Sequence, residues 1–213
     1  MRLRKKPWIP QALEEYKGKE LLTEKIESHY GAWQEMFPGL RLALEIGCGK
    51  GDFLVGMGEL HPDMAFLGIE TQQEICYYPA KKIREKGLTN AKVISGDAAH
   101  LTEWFAPGEI ELIYLNFSDP WPKARHAKRR LTSRSFLEEY KHLLPARGHL
   151  RFKTDNQALF DFSLEEFKAF GLEIIEVSYD LHNSAILNEV QTEYEKKFSA
   201  KGNKINFCEV VFK

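Results

Sequence analysis

Hydrophobic and polar positions along the chain alternate between a strand-like and a helix-like period. Short apolar or β-branched runs at 42–46, 65–69, 91–95, 111–115 and 149–152 read as strands. Between them, 52–60, 72–86 and 133–144 read as helices. The last carries Phe136, Leu137, Tyr140, Leu143 and Leu144, the i, i+1, i+4, i+7, i+8 spacing of one buried face. A further helix is predicted over 156–170, with Leu159, Phe160, Phe167 and Phe170, and two more strands over 173–179 and 205–212. Strand–helix alternation predicts an α/β fold with a seven-stranded, mostly parallel sheet and helices on both faces. Residues 1–38 read as a basic, helical N-terminal extension of one domain spanning 1–213, with no internal repeat or long linker.

Composition narrows the class. A chain of 213 residues suits one sizeable α/β domain better than two. With 43% hydrophobic and 29% charged residues it has the balance of an ordinary globular protein. No apolar run approaches the ~18–20 residues that span a bilayer. The N-terminal MRLRKKPW is basic but lacks the apolar core of a signal peptide. Cys48, Cys76 and Cys208 have no paired spacing, so neither a disulfide framework nor a metal site is expected. The cytoplasm is the expected location.

The net charge of −1 conceals a segregation of sign. Arg2, Arg4, Lys5 and Lys6 cluster at the start, and Lys123, Arg125, Lys128, Arg129 and Arg130 in the middle. Acidic residues such as Glu165, Glu166, Glu173, Glu176 and Asp180 gather elsewhere. A near-neutral protein with separated charge can bind a polyanion through its basic face.

The stretch LALEIGCGKGDFL at 42–54 is a hydrophobic strand entering a glycine-rich turn and then a helix. Gly47, Gly49 and Gly51 permit positive φ and let a ligand approach the backbone closely. Their G-x-G-x-G spacing is one residue shorter than the dinucleotide fingerprint, and the Gly-Lys-Ser/Thr ending of a P-loop is missing. Glu45, just before the loop, would repel a pyrophosphate and suits the ammonium of a methionine moiety. Glu70 ends the next strand, placed for ribose hydroxyls, and Asp97 ends the third, placed for the exocyclic amine of adenine. Strand ends are also acidic because helices begin there. Three such carboxylates beside a glycine loop nevertheless favour a cationic adenosyl ligand.

After the fourth strand comes NFSDPWPKARHAKRRL at 116–131. Two prolines stiffen the turn and set where Asp119 and Trp121 point. Charge runs are usually solvated helix faces, but this one is almost purely positive and abuts an ordered turn, so it suits phosphates. His126, within the run, reads as an RNA contact or an exposed side chain rather than a catalyst. Cys48 reads as a small filler, and His182 as a residue ordering the loop before Thr192.

Here the sequence resembles the bacterial tRNA (guanine-N7-)-methyltransferases. The similar stretches are RLRKKPW, EIGCGKG, YLNFSDPWPKARHAKRRL, RFKTDNQALF, DLHNS and TEYEKKF, which span nearly the whole chain. The resemblance implies a Rossmann-like class I fold, S-adenosylmethionine as cofactor, and methylation of tRNA at N7 of guanosine 46 in the variable loop. It implies that Glu45, Glu70, Asp97 and Asp119 serve the cofactor, with Gly47, Gly49 and Gly51. Lys123, Asp155, Thr192, Glu193, Tyr194 and Glu195 then serve the guanosine, and Arg125, His126, Lys128, Arg129 and Arg130 the RNA. The family pattern reads lysine at Ala124 and glutamate at Ala127, so one positive and one negative charge are missing here.

N7 of guanine carries a free lone pair and no proton, so the reaction needs alignment rather than a general base. Asp119 and Asp155 are the expected catalytic pair, stabilising the charge that develops on the base. Three other readings compete. An exocyclic-amine methyltransferase has a similar Asn/Asp-Pro-Pro-aromatic turn, which DPWP matches loosely. A nicotinamide oxidoreductase is disfavoured by the glycine spacing, and a non-catalytic RNA-binding protein by retention of every cofactor carboxylate. The expected partner is tRNA, with no membrane, no obligate protein partner, and a monomer or homodimer as the assembly.

Overall fold

A computed structural model of the chain describes residues 6–213; Arg2, Arg4 and Lys5 of the basic cluster lie outside the described residues. The first elements are α1 (Ile9–Leu13), β1 (Leu21–Leu22), α2 (Trp33–Met36), β2 (Arg41–Ile46), α3 (Asp52–Leu60), β3 (Met64–Glu70), α4 (Tyr77–Lys86) and β4 (Ala91–Ser95). Then come α5 (Leu101–Trp104), β5 (Leu112–Asn116), α6 (Arg134–Leu143), β6 (His149–Thr154), α7 (Gln157–Phe170), β7 (Glu173–Ser178), α8 (Glu193–Ser199) and β8 (Asn206–Val211). The strands form one sheet in the order β1-β4-β3-β2-β5-β6-β8-β7. Neighbours are parallel except at β8, which runs antiparallel to both β6 and β7.

The period-two alternation within strands builds two cores. Leu42, Leu44 and Ile46 of β2 join Leu137, Tyr140, Phe160 and Phe167 on the face covered by α6 and α7. Ala43 faces the other way, with Phe66, Val93 and Tyr114, against α1, α3 and α4. Helices therefore cover both faces, as the sequence pattern predicts.

Three expectations are corrected. The sheet has eight strands, not seven, because β1 adds to the edge through Leu21 opposite Val93 and Leu22 opposite Ile94. A two-residue strand leaves no periodicity to detect. The helix expected from 72 begins only at Tyr77, after a turn closed by Ile75 and Cys76 amides on the Gln72 carbonyl. Pro79 explains this: in a helix starting at 72 it would sit in the interior, lacking an N–H and clashing with the preceding turn. In the observed helix it falls in the first turn, where no intrahelical donor is needed. Finally, the N-terminal segment is only partly helical, with α1 and α2 short and a 3₁₀ turn at Ile26–His29. It packs into both cores, Ile9 and Leu13 in one, Trp33 and Phe37 in the other. No helix among the described residues is long and apolar enough to cross a membrane.

Candidate active site

The chain leaves β2 toward β3 and β4 on one side and continues from β5 to β6 on the other. The carboxyl ends of β2 and β5 thus flank a topological switch point, where open α/β sheets bind ligands. The glycine loop caps it. Gly47, Gly49 and Gly51 have φ of 81°, 53° and 76°, and the Gly47 and Cys48 amides donate to the Ile69 carbonyl at 2.8 and 2.9 Å. At Gly51 a side chain is impossible, because a Cβ would lie 2.3 Å from Cβ of Pro79. This contact seats the loop on α4.

Glu45 is the penultimate residue of β2 and is only 3% exposed. Its Oε1 accepts from the Asn116 side-chain amide at 2.9 Å, while Oε2 is buried with no hydrogen-bond partner. Burial pushes this carboxyl up to about 7, against the opposing pull of the Asn116 amide and the Lys153 charge. A buried carboxylate with one oxygen unsatisfied is costly by itself and favours a cationic hydrogen-bond donor beside it.

Glu70 ends β3 and has a second task that the sequence does not reveal. Its Oε1 accepts from the Gln72 amide at 2.8 Å and its Oε2 from the Gly49 amide at 3.1 Å, tying the glycine loop to β3. A carboxylate offers about four lone-pair sites, so acceptor capacity remains for a diol. Asp97 caps the 3₁₀ turn that follows β4 by accepting from the Ala99 amide at 3.0 Å, and is otherwise exposed.

Two cavities meet at this crevice. One, of about 620 Å³, is lined by Ile69, Glu70, Asp97, Ser118, Asp119 and Trp121 among others. The second, of about 470 Å³, is lined by Glu45, Phe53, Phe117, Thr192, Tyr194 and Phe198 among others. Gly47 and Phe117 border both. Glu70, Asp97 and Asp119 are therefore gathered in one basin, and Glu45 opens on the adjoining one. Lys123 and Asp155 line neither cavity; Asp155 touches the second through Tyr194, whose hydroxyl donates to it at 3.2 Å.

The loop after β5 has an unusual backbone. Phe117 and Trp121 have φ of 55° and 40°, the left-handed region that bulky residues rarely occupy. Such strain persists only where surroundings over-determine it. The Phe117 amide donates to the Lys153 carbonyl at 2.9 Å. Arg130 donates from Nε to the Pro120 carbonyl at 3.2 Å and from Nη2 to the Trp121 carbonyl at 3.1 Å, with its guanidinium 4.2 Å from the Phe162 ring centre. Arg130 thus clamps the Asp-Pro-Trp-Pro turn. Arg129 stacks over Trp121 at 4.9 Å, and His126 meets the same ring edge-on at 5.7 Å. Lys123, Arg125, Lys128 and Arg129 are exposed.

Segment 192–195 opens α8 and divides its labour. Thr192 caps the helix by accepting from the Glu195 amide at 2.9 Å. Glu193 pairs with Lys50 of the glycine loop at 2.8 Å, and the Tyr194 ring lies 5.0 Å from Phe117. Glu195, by contrast, is fully buried and does not face either cavity as a free group. Its Oε2 accepts from Lys153 at 2.8 Å, and its Oε1 lies 2.8 Å from His182 Nε2 and 2.6 Å from the Asn188 amide. Burial would raise its pKa, yet Lys153, His182 and Asn188 hold it below the ordinary glutamate value. Lys153 also donates to the Val190 carbonyl at 3.2 Å, so one buried lysine fastens α8 and the preceding segment to β6. This geometry gives Glu195 the task of positioning its helix. His182 orders this segment, as expected.

Sequence reasoning missed Lys153, Asn116, Phe117 and Lys50. Only Lys153 left a signal, a lysine between Phe152 and Thr154 in a strand apolar enough to be buried.

Comparison with known proteins gives a consistent picture. A family model described as a putative methyltransferase matches residues 41–208. A tRNA (guanine-N(7)-)-methyltransferase of Geobacillus sp. (strain WCH70) is 47% identical over 213 residues, covering 100% of this chain and 96% of the relative. One of that name from Halalkalibacterium halodurans is 42% identical over 214 residues, covering 100% of this chain and 96% of the relative. Among solved structures, an antibiotic-related methyltransferase superposes with TM-score 0.62 at 21% identity over 85% of this chain and 92% of its own. A SAM-dependent methyltransferase from Aquifex aeolicus gives 0.55 at 13% identity, over 95% and 97%. These structures share the fold.

Proposed function

The chain belongs to the tRNA (guanine-N(7)-)-methyltransferase family, and from that premise we propose that it methylates N7 of guanosine 46 in the variable loop of tRNA. It is an S-adenosylmethionine-dependent methyltransferase. The acceptor follows from the end-to-end likeness to relatives of that name. The donor is supported by one observation above all, the unpartnered buried oxygen of Glu45 beside the glycine loop. It fits the ligand's ammonium, while Glu70 fits the ribose diol and Asp97 the adenine amine. Asp119 completes the cofactor basin. We place the activity in the cytoplasm, with tRNA as partner, no obligate protein partner, and a monomer or homodimer as the working form.

S-adenosylmethionine supplies an electrophilic sulfonium methyl. The protein's own contribution is alignment and electrostatics. Phe117, held at the junction of the two cavities, and Tyr194 offer faces against which a purine can lie. The Asp155 carboxylate, oriented by the Tyr194 hydroxyl, and Asp119 offset positive charge developing on the guanine. Because N7 carries no proton, no side chain acts as a base. A target guanine whose N7 is engaged in tertiary pairing must be swung out to reach the site.

The reading is tested by incubating the full chain with labelled S-adenosylmethionine and unmodified tRNA, then identifying the modified nucleoside and its position by mass spectrometry. 7-Methylguanosine at position 46 is the expected product. A methylated exocyclic amine, or no product, overturns it.

Two further outcomes follow from the geometry. Ligand binding at Glu45 requires the ionised carboxylate, and its pKa is raised to about 7. Affinity for S-adenosylmethionine should therefore rise about tenfold per pH unit below that value and level off above it. Titration calorimetry across pH checks this, and Glu45→Gln should remove the slope along with most of the affinity. The basic run should also divide. Arg129→Ala should lower the log–log salt slope of tRNA binding by about 0.7–0.9. Arg130→Ala should instead slow methyl transfer by releasing the Asp-Pro-Trp-Pro turn. Equal salt-slope losses in both variants would mean that Arg130 leaves its turn to meet the RNA.

A further inference from the structure

A second row of cations and rings, separate from the basic run at 123–130, borders the cavity that contains Glu45. We propose that this row is an RNA-contact shelf, gripping the nucleotides that flank the target base. The inference rests on the tRNA reading above.

At one end, the Lys6 ammonium lies 5.6 Å from the Trp8 ring centre and 5.4 Å from that of Tyr78. Lys50 approaches the same tyrosine at 5.9 Å and reaches across to Glu193 at 2.8 Å, which joins the row to α8. At the other end, Tyr194 and Phe198 stack with centroids 4.1 Å apart, and the Lys201 ammonium lies 5.2 Å from the Phe198 ring centre. Lys50, Tyr194 and Phe198 line the cavity itself, so the row runs along its rim.

Ordinary packing accounts for only part of this. Trp8 meets Tyr77 edge-on at 5.1 Å and so helps to seat α1 on α4. Yet Trp8 remains 48% exposed and Tyr194 41%. Lys6 and Lys201 are exposed too, and neither has a carboxylate partner among the described residues. In a chain of net charge −1, unpaired cations set beside exposed rings complement a ligand that is both polyanionic and flat-faced. Single-stranded nucleic acid has both properties, its phosphates meeting lysines and its bases stacking on aromatic side chains. An acidic peptide offers the charge without the stacking surfaces. One end of the shelf joins the cavity lining through Lys50, which approaches Tyr78, and the other through Phe198, which Lys201 approaches. A guanine swung into the cavity would leave neighbouring nucleotides over Phe198 on one side and Tyr78 with Trp8 on the other. The RNA would then be held from two directions, by the run at 123–130 and by this shelf.

The test compares the full chain with three variants, Lys6→Ala/Lys201→Ala, Trp8→Leu and Phe198→Leu, by salt-dependent tRNA binding, S-adenosylmethionine titration and thermal unfolding. The double lysine variant touches no core residue. It should keep the parental unfolding midpoint and cofactor affinity while its log–log salt slope falls by about 1.4–1.8. Each ring variant should weaken tRNA binding about 5- to 150-fold, the range of one lost base stack. A double lysine variant with an unchanged slope overturns the shelf, whatever the ring variants do. Arg129→Ala serves as the control. If it lowers the slope and the shelf variants do not, the tRNA reading stands and the shelf falls. If the parent chain neither binds nor methylates tRNA, the functional reading itself fails.

Discussion

The Glu195→Leu variant is expected to unfold roughly 6–20 °C below the parent chain. The change leaves the Lys153 ammonium, itself 5% exposed, without its carboxylate. Breaking a buried ion pair from one side costs about 3–5 kcal/mol, and each kcal/mol moves the midpoint of a chain this size by about 2–4 °C. The double variant Lys153→Met/Glu195→Leu removes both charges and should recover most of the loss, because well-packed apolar pairs commonly match buried ion pairs. Calorimetric melting of the two single variants and the double closes the cycle. A single variant that melts with the parent would show that water reaches Lys153. The pH dependence has a definite sign. Glu195 titrates below the ordinary value of 4.5, so its contribution is complete above that value and is lost as pH falls through the lowered one.

The largest effect on rate is expected at Asp155. Asp155→Asn keeps an acceptor for the Tyr194 hydroxyl and the Asn203 amide, which now reach the carboxylate at 3.2 and 3.3 Å. In the proposed mechanism it removes the charge that offsets a cationic guanine. Burial and the neighbouring Asp155 charge raise the Tyr194 pKa, so that hydroxyl stays protonated and keeps the side chain oriented. The single-turnover rate at saturating tRNA should fall by about 10²-fold, with a much smaller change in tRNA affinity. In the parent chain the same rate should be flat through neutral pH once cofactor is saturating, since no proton is removed in the transfer. A rate climbing tenfold per pH unit would point to an amine acceptor, and equal losses in rate and affinity would reduce Asp155 to a binding residue.

What the sequence made legible was whatever is encoded locally. The helix predicted at 52–60 is α3 to the residue, because a glycine turn and an acidic first position mark its start. Asn156 caps α7 through Leu159, and Gly171 ends it at φ 88°, both short-range signals. Glu45, Glu70 and Asp97 could be singled out as candidates because each lies at or just beside the end of a largely apolar strand. Long-range pairings were not readable. Lys153 and Glu195 are 42 positions apart, and Lys50 and Glu193 are 143 apart. No periodicity links such residues. The basic run shows the same limit: by composition Arg129 and Arg130 are equivalent, and only the carbonyls of Pro120 and Trp121 separate them.

The left-handed backbone at Phe117 and Trp121 sets stability against function. Glycine at either position would adopt the same φ without steric penalty, and the strain relieved is on the order of 1 kcal/mol or more per residue. At 117 the gain is outweighed, because the Phe117 ring packs on the cluster of Leu181, Ile205 and Phe207 and lies beside Tyr194. A library of this chain sorted only for resistance to heat or protease should therefore collect glycine at 121. Those clones would have lost the ring on which Arg129 stacks. Stability screening and methylation screening of one library should diverge most sharply at this codon.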